Sequence, residues 1–244
     1  MGFAGNCLAI VAISGRKGDL KLPQTYQAGH PLHAANLKTK QRDLRAGFAE
    51  PLTLRVHRAL SWLLRAEDED DDQDVRFILL WIGFNAVYAG NLDEARERDH
   101  LRNFFDTMVK LDGQSRIYNT VWQRFSQEIR VLLDNKYVFA PFWAYHNGAE
   151  NHADWATQLD RAFHKSRHAL EAQDTPRILS IVFDRLYVLR NQLVHGGATW
   201  NSKVNRDQVR DGAAILGCLL PIFVDLMMDN PDEEWAMPHY PVVE

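Results

Sequence analysis

The stretch Val75 to Tyr88 (VRFILLWIGFNAVY) is apolar on almost every side when wound as a helix. A helix with no polar face has to be surrounded by other elements, so the chain must place this segment at its centre and wrap the rest around it. Asn85 is the one polar residue in the later part of the run and needs a partner.

The rest of the chain offers suitable wrapping. From Pro51, Leu52, Leu54, Val56, Leu60, Leu63 and Leu64 form one helical face and Arg55, Arg58 and Arg65 the other. The acidic run Glu67 to Asp74 separates this helix from the apolar one as a solvated turn, with Asp74 suited to cap the second helix. Amphipathic patterns continue over about Asp93 to Leu111, Ser115 to Leu133 and Asp154 to Gln173. Tyr137 to Gly148 (YVFAPFWAYHNG) is dense in aromatics and holds Pro141, which predicts a short helix or loop packed on the core. Thr175 followed by Pro176 opens a further helix as N-cap and first residue, and Gly196-Gly197 closes it after Val194. Asn205 caps a last helix from Arg206 to about Met228, ended by Asn230-Pro231. No segment alternates long enough to demand a sheet, so the fold is predicted to be all-α.

At 244 residues, 46% of them apolar, the chain can build a substantial core. Residues 1 to 48 show no periodicity and are broken by Pro23 and Pro31, so they are expected to form a poorly ordered extension. That extension is either a functional arm or the product of a start codon set too far upstream. The helical domain is expected over residues 49 to 230 and an extended tail over 231 to 244. Ala213 to Met228 is the most apolar run, but Gly217, Pro221 and Asp225 interrupt it, which favours a core helix over a membrane span. No leader with a basic start is evident, and Cys7 and Cys218 suggest neither a disulfide framework nor a zinc site, so a cytoplasmic protein is expected. The net charge of -4 argues against a protein that coats nucleic acid indiscriminately, though not against a small basic cleft.

Arg190, Asn191 and His195 carry the best clue to function. Asn191 and His195 share a helical face, extended upstream by Asp184, with Tyr187 and Arg190 beside it. The other faces carry Ile178, Ile181, Val182, Phe183, Leu186, Leu189, Leu193 and Val194. A bland account remains open: His195 is a cation favoured at a helix C-terminus, and Arg190 bonds a nearby carboxylate. The functional account is that a guanidinium binds phosphate through its fork of donors while an imidazole at an open helix end exchanges protons. An Arg followed by a His at similar spacing arises by chance roughly two or three times in such a chain, and Arg161 with His168 is another case. What sets Arg190 and His195 apart is the adjoining Asn, the Gly pair and the apolar helix leading in.

With that setting, residues 51 to 230 resemble the HEPN superfamily, the higher eukaryotes and prokaryotes nucleotide-binding helical domains. The signature Arg, polar residue, His falls on Arg190, Asn191 and His195; Phe77 to Tyr88 is similar to an early core helix of bacterial members. The segment Arg190 to Asp207 (RNQLVHGGATWNSKVNRD) is similar to that of a group of bacterial HEPN proteins. The resemblance implies a homodimeric, metal-independent endoribonuclease in which Arg190 and His195 of both subunits are catalytic and Asn191 is supporting. RNA would be cut by attack of the adjacent 2'-hydroxyl, with no cofactor, in toxin and antitoxin pairs, phage defence or RNA processing. An antitoxin protein is among the partners implied. The alternative is a non-catalytic HEPN-like module that binds a nucleotide, RNA or a protein. The long N-terminus and extra helices depart from the smallest members.

Downstream, Trp200, Asn201, Lys203 and Arg206 are candidate RNA-binding residues with Tyr187, since a Trp among amides and cations can hold a nucleotide. A loop packed by one Trp explains the same residues. His164 and His168 could share a metal across one helical turn, but no third ligand lies near them in sequence, so no metal site is expected.

Overall fold

A computed structural model describes residues 32–89, 94–203 and 205–242, with the side chains of 94–98 left aside. Among the described residues the regular structure is helical and there is no strand. The helices are α1 (Ala34–Leu44), α2 (Glu50–Glu67), α3 (Gln73–Tyr88), α4 (Glu94–Leu111), α5 (Arg116–Asn119), α6 (Ser126–Asp134), α7 (Ala140–His146), α8 (Trp155–Glu171), α9 (Thr175–Val194) and α10 (Arg206–Asp229).

The apolar segment forms α3, which packs against α2 and α10 and also meets α9, as its sequence demands. Phe77, Leu80, Trp81, Phe84 and Val87 are buried. The Phe84 ring lies 4.3 Å from that of Phe183 on α9, and Phe105 on α4 lies 4.9 Å from Phe183, so aromatic contacts join three helices. At Gly212 on α10, an added Cβ would come within 2.9 Å of Phe77 and Leu186, so only glycine permits this approach to α3 and α9. The enclosure of α3 is incomplete. Val75 is exposed, and Ile78, Leu79, Ile82 and Asn85 are half-buried, so Asn85 is less enclosed than its apolar neighbours suggested.

Several expectations change. The irregular extension expected through residue 48 contains α1, bound to the core by Leu37 and by Lys40. Buried Lys40 reaches Asp225 at 2.6 Å and Asp229 at 2.5 Å on α10, and Arg116 on α5 completes the cluster at 2.6 Å from Asp225. Burial raises the Asp229 carboxyl above its ordinary range, although Lys40 works against the shift. Residues 1–31, the remainder of that expected extension, lie outside the described residues. Ala34 and Leu37 pack into the core, and the long-range pairing of Lys40 fixes α1 against α10.

Arg55, assigned to the polar face of α2, is only 2% exposed. Its guanidinium donates to the carbonyls of Ala86 and Val87 at the end of α3 and to those of Ala236 and Met237. Those bonds satisfy orphan carbonyls and tie the tail after residue 230, expected to be extended, to the core. Burial lowers the Arg55 pKa to about 10, with Arg58 adding to the effect. The Ser115 to Leu133 pattern is also split: a wide turn over Thr120–Arg124 separates α5 from α6, with the Phe125 amide bonded to the Thr120 carbonyl five residues back. One helix among the described residues, α10, is long and apolar enough to cross a membrane, and most of it is buried inside the protein.

Candidate functional site

Helix α9 positions the Arg and His. Asp174, not Thr175, caps its start by accepting from the Arg177 amide, and Pro176 sits in the first turn. Thr175 is buried and accepts from the Trp122 indole at 2.8 Å. Ile178, Val182, Phe183, Leu186 and Leu189 face the core, which turns Asp184, Tyr187, Arg190, Asn191 and His195 outward along the stripe the sequence suggested. Val194 departs from its expected apolar face and is 49% exposed, beside the same stripe. Tyr187 is also 49% exposed, its ring 6.2 Å from that of Trp81.

The helix ends at His195, whose amide bonds the Asn191 carbonyl. Gly196 follows at φ +70°, a left-handed position suited to glycine, and the Ala198 amide then closes onto the Gln192 carbonyl at 3.1 Å. This closure leaves the His195 side chain exposed. Arg190 is half-buried, and its Nη1 donates to Asn191 Oδ1 at 2.9 Å. Among the described residues no carboxylate pairs with Arg190 or His195, so the bland account's salt bridge is not formed there. Asn191 thus fixes one side of the guanidinium and leaves the others directed elsewhere. Arg161 and His168, the other sequence match, are exposed on α8 and lack such a contact.

The loop after α9 is tied to the start of α3 by residues that sequence reasoning passed over. Asp72, not Asp74, caps α3, accepting from the amides of Asp74 and Val75. Its other oxygen accepts from the Trp200 indole at 2.6 Å. Burial works against the Asp72 charge, but hydrogen bonds from the Val75 backbone, the Trp200 indole and the Asp74 backbone, with Arg206 nearby, outweigh it and hold the carboxyl below its ordinary range. Asp74 accepts from the Asn201 amide at 2.7 Å and from Arg206 Nη2 at 2.9 Å. Asp72 and Asp74, at the end of the acidic run that looked like a solvated turn, therefore hold the loop, three residues and one residue ahead of Val75, where the apolar segment begins.

Among the residues expected to meet RNA, Trp200 is 74% exposed although its N–H is engaged, and Lys203 is exposed. Asn201 is also exposed, at φ +54°, with its amide on Asp74. Arg206 differs from expectation: it pairs with Asp74 and bonds the Ser202 carbonyl, so its guanidinium is occupied in holding the loop. Asn205 stands at the start of α10 as expected, yet its side chain donates to Gln192 instead of capping the helix.

No protein-family model matches the chain, and neither curated proteins nor solved structures give a match.

Proposed function

We propose that this chain is a metal-independent endoribonuclease of HEPN type, working as a cytoplasmic homodimer. The observation that carries this reading is the guanidinium of Arg190, free of any ion pair among the described residues and steadied by Asn191, five residues before the exposed His195. Unlike Arg206, which is held by Asp74, Arg190 makes no ion pair among the described residues.

The chemistry follows from what these groups can do in two copies. One imidazole takes the proton of a ribose 2'-hydroxyl as its oxygen forms a bond to the neighbouring phosphorus. The bond from phosphorus to the 5'-oxygen breaks, and a protonated imidazole from the other copy supplies that oxygen's proton. A cyclic phosphate and a 5'-hydroxyl result. Arg190 binds the non-bridging oxygens, where charge develops. One His cannot stand on both sides of the phosphorus at once, which is why the reading needs a symmetric pair. Apolar surface supports pairing: Val75 is exposed, Ile78, Leu79 and Ile82 are half-buried on α3, and Tyr187 and Val194 are exposed on α9.

The test compares wild type with His195→Ala on varied RNAs in the presence of a metal chelator, with light scattering for subunit number. Cleavage to a cyclic phosphate by the dimeric wild type alone is expected. Equal activity in both proteins, or none in either, overturns the reading. If cleavage serves a toxin role, expression of the wild type will arrest growth and His195→Ala will relieve the arrest.

A further inference from the structure

The aromatic segment after α6 is tied to the end of α9 through its backbone. A short helical turn at Lys136–Val138 leads into α7, and the Tyr137 carbonyl accepts from two side chains, Gln192 Nε2 on α9 at 2.5 Å and the Trp143 indole at 2.7 Å. Gln192 stands about one helical turn before His195, and its own side-chain oxygen accepts from Asn205 at 2.9 Å. Tyr137 is therefore fixed beside the helix end that carries the proposed chemistry. From it, ring contacts run unbroken to Phe142 at 5.5 Å, from Phe142 to His146 at 4.4 Å and from His146 to Tyr145 at 5.4 Å. Phe142 is buried and meets Trp155 edge-on at 4.9 Å, so it anchors the row. The tyrosines at the two ends do not share that burial: Tyr137 is 41% exposed and Tyr145 is 40% exposed. Lys136, also exposed, holds its ammonium 5.1 Å from the centre of the Tyr137 ring. Two open rings joined through a buried one, with a cation beside them, differ from apolar residues scattered singly over a surface.

We propose that Tyr137 and Tyr145 form a stacking platform for the bases of single-stranded RNA, with Lys136 meeting one phosphate; its service to cutting rests on the ribonuclease reading above. Every base has a π-face, so the platform selects unpaired strand and not sequence. Duplex RNA keeps its bases stacked on one another and offers the rings nothing. An acidic peptide would use Lys136 and leave the rings idle, whereas a nucleotide uses both.

The experiment measures, by fluorescence anisotropy, binding of labelled oligo(U), its duplex with oligo(A), and an abasic ribose-phosphate oligomer of equal length. Full-length His195→Ala is the protein used, so that the RNA stays whole. Oligo(U) is expected to bind at least about tenfold more tightly than the duplex or the abasic oligomer. Tyr137→Ala and Tyr145→Ala, added singly, should each weaken oligo(U) about tenfold and leave the abasic oligomer unchanged, with circular dichroism checking the fold. Tyr137→Phe keeps the ring and should bind within about twofold of its parent. Unchanged binding in either alanine variant, equal binding of the abasic oligomer, or no binding of oligo(U) overturns the platform. Metal-free cleavage by the otherwise wild-type chain that is indifferent to Tyr137→Ala also sinks the platform while leaving the ribonuclease reading intact. Ring-dependent binding with no cleavage by the wild type supports the platform and sinks the ribonuclease reading instead.

Discussion

Two arginines 16 positions apart give opposite responses if the site has been read correctly. Arg206 pairs at 2.9 Å with Asp74, and the two side chains retain 29% and 10% of their exposure. Arg206→Met removes that pair and the bond to Ser202, leaving a largely buried carboxylate with only the Asn201 amide. Breaking a fully buried pair costs about 3–5 kcal/mol; partial exposure of Arg206 reduces this to roughly 2 kcal/mol. For a domain of this size that lowers Tm by about 4–8 °C. Arg190 contacts Asn191 and no acid among the described residues, so Arg190→Ala should cost under about 1 kcal/mol. Its effect should appear in turnover, where losing a cation from a phosphate transition state costs about 100-fold or more. Thermal melts by circular dichroism and initial cleavage rates on one RNA measure both quantities. If Arg190→Ala melts as low as Arg206→Met, or cleaves at the wild-type rate, the assignment of a free guanidinium is wrong.

Arg55→Met strips four carbonyls of their donor and should lower stability by about 3 kcal/mol, with faster amide exchange over residues 231–242. Unchanged exchange there would show that the tail is held by other contacts. Lys40→Met leaves Asp229 without its cation and Asp225 with Arg116 alone, so a loss of about 3 kcal/mol and rapid proteolysis near α1 are expected. For Asp72 the folded pKa is depressed, so its stabilisation is present above the ordinary aspartate range of about 4 and is lost as pH falls through the lower folded value. Amide exchange in residues 198–203 should therefore accelerate in acid in the wild type, and Asp72→Asn should show a smaller change. Equal acid responses would separate the loop from that carboxyl.

Helix existence was legible in the sequence where periodicity was strong: α2, α9 and α10 start or stop within a residue or two of their proline, glycine and asparagine signals, and α3 starts one residue before the Asp74 expected to cap it. The outward stripe of α9 was legible for the same reason, because one helical face had to remain polar. What the sequence hid were charges acting over long separations. Lys40 meets Asp225, and Arg55 meets the carbonyls of residues 236 and 237; no local pattern distinguishes them from solvated neighbours. Helix α1 was missed because its buried face holds only two apolar residues, Ala34 and Leu37, beside Lys40 and Gln41. Val194 misled for a different reason: an apolar residue at the end of a helix can turn outward once the chain behind it reverses at Gly196.

The acidic run bears most directly on function, since carboxylates beside a phosphate site would ordinarily repel the substrate. Here Asp72 is occupied by the start of α3 and the Trp200 indole, while Asp74 shares one oxygen with Arg206 and the Asn201 amide. Their charges are turned into fixing the loop that begins beside His195. With Arg206 engaged in this way, Arg190 and the exposed Lys203 are the cations that the proposed ribonuclease reading leaves for phosphate. A protein of net charge -4 can then attract RNA locally without binding it indiscriminately, and cleavage should weaken with added salt by a slope reflecting only a few phosphate contacts. A steep slope, of the kind given by six or more contacts, would place the RNA on a basic surface elsewhere and remove the reason for confining recognition to the end of α9.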